Sequence, residues 1–471
     1  MSADQPHARG LVHASDRRFF AILYATYFLF ALLFNAFTPI GESPDELTHY
    51  RYVRILHEEQ RLPNHRDSPG LGQWGPVYYV GQASWVYLWK LMIGCEIRPD
   101  RLPFRPNPRF PKGGDYTFLI HSASERLSNW GCTEFSFHFL RLFSAILTVL
   151  GIAVTVRLLA EVLPSSDLTV KLAATFMALV PGHVFISTMV NNDALVNMLI
   201  IFSMFYMLQA LSNPDIGNFV RALVAAAIAV ATKLSAIFLL PLLIILLLVR
   251  SQILQKIATV RFNTARAWVV LAIVAVPGVL FVRNYLEWGD PFAVSVLETL
   301  LEMGKKAGAH PEGSIMHFYF REFPVEMVRM LLVSYGPINF SDGPALARLQ
   351  VYGIVIATGV VVSFVWQRGL LWRSAAPAPL LFLILGFGLF FATYFYPGYR
   401  YRMLQARYFF HQLPLVSLIA GIGITALWQE AKRVIPRLQD RVIVYGHYGF
   451  LLVMNVLVLV FGVIEHLYNN I

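Results

Sequence analysis

The sequence predicts an all-α polytopic membrane protein, a bundle of about eleven transmembrane helices whose large extracytoplasmic first loop carries interfacial helices. Three observations predict it. Of 471 residues, 56% are hydrophobic and only 14% charged, where a soluble protein carries roughly a quarter; mean hydropathy is +0.56. The apolar residues fall in runs long enough to cross a bilayer. Lys and Arg are distributed unevenly among the connecting loops, as they are when a chain is oriented by its cytoplasmic charge.

The polar N-terminus holds Arg9, Arg17 and Arg18 and leads into an apolar run without a small-residue cleavage site, so it reads as a retained anchor behind a cytoplasmic segment. Spans are expected over 19–38, 138–162, 169–188, 193–211, 217–234, 235–250, 267–283, 349–367, 376–396, 408–427 and 442–464. The pair that meets at Thr232-Lys233-Leu234 lies near the lower limit of about 17 residues. With the N-terminus inside, the short inner loops carry fifteen Lys and Arg, against Lys233, Arg400 and Arg402 on the short outer loops and Arg407 at the edge of a span. The net charge of +10 therefore belongs to the cytoplasmic loops and is not a nucleic-acid signal. Four regions follow: a cytoplasmic N-terminus 1–18, a transmembrane core 19–283 that includes the extracytoplasmic loop 38–137, a second extracytoplasmic loop 284–348, and C-terminal transmembrane helices 349–471.

The first loop has eleven acids and eleven Lys plus Arg, a folded polar layer rather than a connector. Within it 75–94 is apolar and aromatic. If it spanned, every later loop would change sides, so it is expected to lie in the interface, where aromatic rings are favoured. Pro99, Pro103, Pro106, Pro108 and Pro111 make an extended run. Cys95 and Cys132 are the only cysteines; on the extracytoplasmic side a disulfide persists, and two free buried thiols are the equal alternative. In the second loop, 318–335 reads as an amphipathic surface helix.

Polar residues collect on the outer side. Ser43, Pro44 and Glu46 have the spacing of an N-cap, a first-turn proline and a capping box. On this pattern Glu46 serves the helix start, and Asp45, one turn before His49, is the acid without a structural task. Asn191-Asn192-Asp193, Lys233, Arg283-Asn284, Gly289-Asp290-Pro291 and Gln405 to Tyr408 end spans on the same side. Each has a bland reading. Lys233, Arg283 and Arg407 sit where long cations snorkel, Asn191 to Asp193 where caps are favoured, and Gly289-Asp290-Pro291 where chains turn. Their convergence on one face is what points to a site.

These stretches also carry a resemblance. Ser-Pro-Asp45-Glu46-x-x-His49-Tyr50, Gly75-Pro76-Val77-Tyr78-Tyr79, His138-x-x-Arg141-Leu142-x-Ser144, Val190-Asn191-Asn192-Asp193, Thr232-Lys233-Leu234-Ser235, Arg283-Asn284 and Gln405-Ala406-Arg407-Tyr408 resemble, in their order, the bacterial GT-C glycosyltransferases. The branch is that of the lipid A aminoarabinose transferase and the protein O-mannosyltransferases. Trp74 before Gly75 and Ala406 before Arg407 depart from its commoner pattern. The resemblance implies a polyprenyl-phosphate sugar donor, a glycan, lipid or protein acceptor, and an active site on the periplasmic or outer face of the bacterial cytoplasmic membrane. By that match the catalytic acids are Asp45, Glu46 and Asp193, with Asp45 as base. Substrate contacts are expected from His49, Tyr78, Tyr79, Arg141, Asn192, Lys233, Arg283, Arg407 and Tyr408.

A sugar on a lipid phosphate already has its leaving group, so the chemistry asks for a base toward the acceptor and cations for the phosphate. Asp45, Glu46, His49 and Asp193 include metal-ligand types, but their spacing specifies no ion, and no cofactor is expected. Two other classes are compatible with eleven spans: a transporter or flippase of a lipid-linked or small anionic substrate, and a membrane assembly protein whose outer layer docks a partner. A transporter places charge at mid-membrane on broken helices, and the predicted spans are almost free of it.

Overall fold

A computed structural model describes residues 14–64, 67, 71, 74–94, 104–107, 119–258, 265–296, 298–299, 302, 314–325, 327, 344–366, 375–401 and 405–465. Among them the chain is almost entirely helical. Helix α1 (Ala14–Phe37) leads into a layer beyond the bundle, made of α2 (Glu46–Glu58), α3 (Val77–Ile93) and two short antiparallel strands, β1 (Phe104–Pro106) and β2 (Leu119–His121). Helix α4 (Cys132–Val162) returns to the bundle and is followed by α5 (Asp167–Leu179), α6 (Pro181–Ser187), α7 (Asp193–Ser212) and α8 (Ile216–Thr232). A 3-10 turn, Leu234–Phe238, precedes α9 (Leu239–Val249), α10 (Ser251–Ala258) and α11 (Ala265–Trp288). The last quarter supplies α12 (Pro344–Val365), α13 (Pro377–Arg400), α14 (Leu413–Val434) and α15 (Asp440–Leu457).

Apolar length makes this a multi-pass membrane protein, with backbone groups satisfied inside each helix as a lipid environment demands. The count differs from the eleven spans expected. Seven described helices are long and apolar enough to cross, and nine if each of two bent pairs is one span. The run 169–188 is α5 and α6, bent by 51°. Pro181 has no N–H to continue α5, and Val180 before it is extended. The run 235–250 opens as a 3-10 turn, and the segment turns by 94° before α10. Apolar helices at Ile216–Thr232 and Val351–Ser363 are shorter.

Helices α4, α5, α7 and α14 form the buried centre, with α8 against α7 and α12 against α14. Small residues let these backbones approach, the usual device where lipid gives helices no hydrophobic reason to pack. A Cβ on Gly423 of α14 would lie 2.7 Å from the carbonyl oxygen of Ile356 in α12. Helix α3 packs on α2, α4 and α8. It has 17 residues and leaves Tyr87, Leu88, Leu91 and Met92 exposed.

Several expectations are settled by the described residues. Cys132 is disulfide-bonded, and the chain has one other cysteine, Cys95. Cys95, Pro99, Pro103, Pro108 and Pro111 lie outside the described residues, as do 328–335 of the amphipathic helix. Its described part begins as Ile315–His317 and widens into a π-turn at Phe318–Glu322. Asp290 makes the turn read there, accepting N–H bonds from Phe292 at 2.9 Å and Ser295 at 3.1 Å.

Candidate active site

The stretch 38–46 is fixed from two sides before any ligand is considered. Arg141 of α4 is fully buried and uses its whole guanidinium. Nη1 donates to the carbonyls of Asn35 at 3.0 Å and Thr38 at 2.6 Å, and Nη2 to Pro39 at 3.0 Å. Nε and Nη2 also hold Glu46 at 2.8 and 2.7 Å. Glu46 in turn accepts the N–H groups of Gly41 at 3.1 Å and Val190 at 3.0 Å. Both side chains are 0% exposed. Their partners are thus backbone and each other, which ties α2 to α4 and to the turn before α7.

This overturns the expected capping box. Helix α2 begins at Glu46, and Glu46 spends its carboxylate on Arg141, Gly41 and Val190 rather than on the start of its own helix. The Ser43 hydroxyl has no hydrogen-bond partner among the described residues. Asp45 occupies the N-cap position with a left-handed backbone, φ 61° and ψ 4°, and its side chain caps nothing. That conformation costs an L-residue roughly 1–2 kcal/mol, and strain of this kind concentrates where function over-determines a residue.

The Asp45 carboxylate instead meets Arg407, from the 3-10 turn Ala406–Gln412. Arg407 is 3% exposed while the Asp45 side chain is 50% exposed, so the pair stands at the floor of an opening. A second pair lies beside it, between Asp193 at the start of α7 and Lys233. Tyr408 joins the two, with the Lys233 Nζ and the Arg407 guanidinium carbon each 5.3 Å from its ring centre. Burial pushes the Asp45 carboxyl up, but its neighbours, Arg407 foremost, outweigh it and hold it below the ordinary aspartate value.

His49 is held by aromatic neighbours. Its ring stacks on Trp74 at 4.2 Å, and Nδ1 shares a 2.7 Å hydrogen bond with the Tyr79 hydroxyl. Burial, opposed by Asp45 and reinforced by Arg407, pushes it down to about 3, so the ring is neutral at neutral pH. Tyr78 is fully buried and accepts N–H bonds from Gln82 at 2.6 Å and Asn191 at 3.0 Å. Its own proton then belongs to Ser144, 2.8 Å away. Tyr78 therefore sets the Asn191 turn, and Tyr79 sets His49.

Lys233 is positioned by backbone. It breaks the run between α8 and α9 in an extended conformation and pairs as an antiparallel bridge with Trp74. Gly75 N–H donates to the Thr232 carbonyl at 3.2 Å, and a Cβ on Gly75 would sit 1.8 Å from the Ala231 oxygen. Only glycine permits that approach. The Gly75-Pro76 stretch is thus the clip that brings Trp74 and Lys233 to one place.

In the segments that carry the two ion pairs, several buried polar atoms have no hydrogen-bond partner among the described residues. They are Asn191 Nδ2, both side-chain heteroatoms of Asn192, Asp193 Oδ2, Gln405 Oε1, Arg407 Nε, His411 Nε2 and Gln412 Nε2. Asn191 Oδ1 does bond the Asp193 N–H at 2.8 Å, whereas Asn192, at the N-cap position, makes no cap bond. An orphaned buried polar group costs about 1–3 kcal/mol, and a cluster of them is uncommon in a folded protein.

The fold brings Asp45, His49, Asp193, Lys233, Arg407 and Tyr408 together. Arg141 and Glu46 stand behind them as a brace. Arg283 is placed elsewhere: it donates to the Pro63 carbonyl and, at 3.4 Å, to Asn284. It lines a cleft with Trp74, Gly75, Pro277 and Phe281. Sequence reasoning missed Trp74 as a member of the constellation, and His411 and Gln412 as unpartnered polar groups in the turn that carries Arg407. The last two follow Gln405-Ala406-Arg407-Tyr408 within the same short turn, which was the available signal. Among the described residues no group of three His, Cys, Asp or Glu is arranged for a metal ion.

Residues 113–328 match the family model of the dolichyl-phosphate-mannose-protein mannosyltransferases. No curated protein sequence matches the chain. Its fold is similar to several solved membrane transferases. Against ArnT from Cupriavidus metallidurans bound to undecaprenyl phosphate, identity is 14% over 96% of this chain and 73% of that one, with a TM-score of 0.47. For the arabinosyltransferase EmbB from Mycobacterium smegmatis identity is 10%, over 96% of this chain and 42% of that one, with a TM-score of 0.48. The Archaeoglobus fulgidus oligosaccharyltransferase AglB, in complex with an inhibitory peptide and a dolichol-phosphate, gives 12%, 96%, 55% and 0.45 in the same order. Residues 113–328, somewhat under half of the chain, are thus similar to the dolichyl-phosphate-mannose-protein mannosyltransferases.

Proposed function

We propose that the protein moves a sugar from a polyprenyl-phosphate donor to a hydroxyl or amine of a cell-envelope glycan, lipid or protein, at the extracytoplasmic face of a bacterial cytoplasmic membrane. The observation that carries this reading is the pair of carboxylate–cation contacts, Asp45–Arg407 and Asp193–Lys233, in segments that hold buried polar atoms without partners among the described residues. The matched family is itself described by a polyprenyl-phosphate sugar.

The phosphate of the donor competes with the carboxylates for Arg407 and Lys233, and Arg407 Nε is a donor held ready for it. When phosphate takes the guanidinium, Asp45 loses the charge that depresses its basicity and accepts the acceptor proton. The acceptor atom forms its bond to the anomeric carbon as the carbon–oxygen bond to phosphate breaks. The bonding electrons leave with polyprenyl phosphate, whose growing charge the two cations stabilise. His49, neutral and fixed by Tyr79 and Trp74, orients the acceptor or the base. Asn192, His411 and Gln412 offer uncharged amide and imidazole groups to sugar hydroxyls.

The test supplies the purified protein in lipid nanodiscs with a panel of undecaprenyl-phosphate sugars and a cell-envelope extract, and reads products by mass spectrometry. A mass increment of one sugar that requires both donor and protein is expected. Absence of any such product across the panel, from correctly inserted protein, overturns the reading.

A further inference from the structure

A second buried cluster of ionisable side chains lies outside this site. His121, at the end of β2, has Nε2 2.8 Å from Glu42 Oε1 and Nδ1 2.6 Å from Glu125 Oε1. All three side chains are at most 1% exposed. Glu42 Oε1 also accepts the Leu119 N–H at 2.9 Å, and Glu125 Oε2 the Ile40 N–H at 2.7 Å. Strand β2 and the turn after it therefore grip the backbone from Ile40 to Glu42, immediately upstream of Asp45.

A neutral imidazole has one N–H and satisfies one carboxylate; the other would face a ring lone pair. The cluster therefore needs one further proton, and His121 as imidazolium supplies both bonds. Among the described residues the titratable groups that face the ring are Glu42, from the segment after α1, and Glu125, from its own turn. From β1 the residue opposite is the uncharged Phe104. Burial acts to lower His121, but Glu125 and Glu42 overcome it and push it up to about 9.

We propose that His121, bridging Glu42 and Glu125, is a positioning residue for Asp45: it clamps the backbone at Ile40–Glu42 and so keeps Asp45 in the left-handed conformation that aims its carboxylate at Arg407. The strained residue is then braced on both sides, by this clamp upstream and by Glu46–Arg141 downstream. Only Ser43 and Pro44 separate the clamp from Asp45, and the fixed φ of proline leaves little slack to absorb movement. Because the folded His121 value is raised, the clamp is complete below the ordinary histidine range and is lost as pH rises through about 9. Its catalytic consequence rests on the reading of Asp45 as base; the clamp itself does not.

The discriminating variant is Glu125→Gln. Its amide oxygen can still take the Ile40 N–H, and its amide nitrogen can donate to Nδ1 of a neutral ring, so the clamp no longer needs the extra proton. Hydrogen exchange of the full-length protein in nanodiscs, corrected for intrinsic rate, is followed from neutral pH to about pH 10. In the wild type, peptides covering 39–48 are expected to lose protection by about tenfold or more across the window near pH 9, while α7 stays protected. Glu125→Gln is expected to keep protection throughout. His121→Ala should lack it at every pH, and if that variant does not fold, the wild-type and Glu125→Gln comparison stands alone. Protection that is independent of pH in the wild type, or lost at the same pH in both proteins, overturns the proposal. With the product assay above, turnover should fall over the same window in the wild type only. A protection change without a turnover change supports the clamp and counts against Asp45 as base.

Discussion

Asp45 shows how a residue's role can be separated from its neighbour's. The two adjacent acids look alike in sequence, yet Glu46 is consumed by Arg141 and two backbone N–H groups while Asp45 caps nothing and faces Arg407 at an opening. Asp45→Asn should therefore fold and lower turnover by about 10²–10⁴-fold, the usual worth of a positioned base. Arg407→Gln should weaken saturation by the lipid donor about ten- to a hundredfold, the equivalent of the 1.5–3 kcal/mol typical of a charged hydrogen bond. Its check is the apparent KM for the undecaprenyl-phosphate sugar that gives product. Tyr79→Phe removes only the hydroxyl that holds His49, and should cost about 1 kcal/mol of transition-state stabilisation, some fivefold in kcat/KM. The expected capping box failed here for a physical reason. Spacing shows that a carboxylate can reach the helix start, but not that a buried guanidinium 95 positions away will claim it first.

At the scale of elements, the site depends on two connections that sequence spacing only partly reveals. One is the brace between α2 and α4. Removing one partner of a buried ion pair leaves the other charged and alone, so Arg141→Leu or Glu46→Leu should cost about 3–5 kcal/mol of stability. Loss of folded protein in detergent, read as a lowered unfolding temperature, checks this, and the damage should appear whether or not donor is present. The other is the clip of Gly75 on the end of α8. Gly75→Ala drives a methyl to 1.8 Å from the Ala231 oxygen, so the clip must open and carry Trp74 away from His49 and Lys233. Turnover should drop with little change in overall helix content by circular dichroism. The Gly75-Pro76-Val77-Tyr78-Tyr79 run was legible as a motif; its task as a packing joint was not, because backbone approach between distant segments leaves no periodic trace.

Across the whole molecule, apolar run length gave the all-helical membrane architecture, and most expected spans coincide with single helices. It did not give their shape. Where Pro181 interrupts one span and the chain turns at Arg250 between α9 and α10, the helices bend, and hydropathy is blind to direction. The collection of polar residues on one side was also readable, since ionisable groups at helix ends are costly without a purpose. Its membership needed the fold: Arg283 goes to a cleft with Trp74 and Pro277, and His411 and Gln412 lie in the turn that carries Arg407. In the function proposed, Asp45, paired with Arg407, is the base of a sugar transfer from a lipid phosphate. The most direct measurement is donor-dependent product formation by wild type and Asp45→Asn, side by side in nanodiscs at matched insertion. Product is expected from the wild type, with a loss of about 10²-fold or more in the variant; equal product from both would rule Asp45 out as the base.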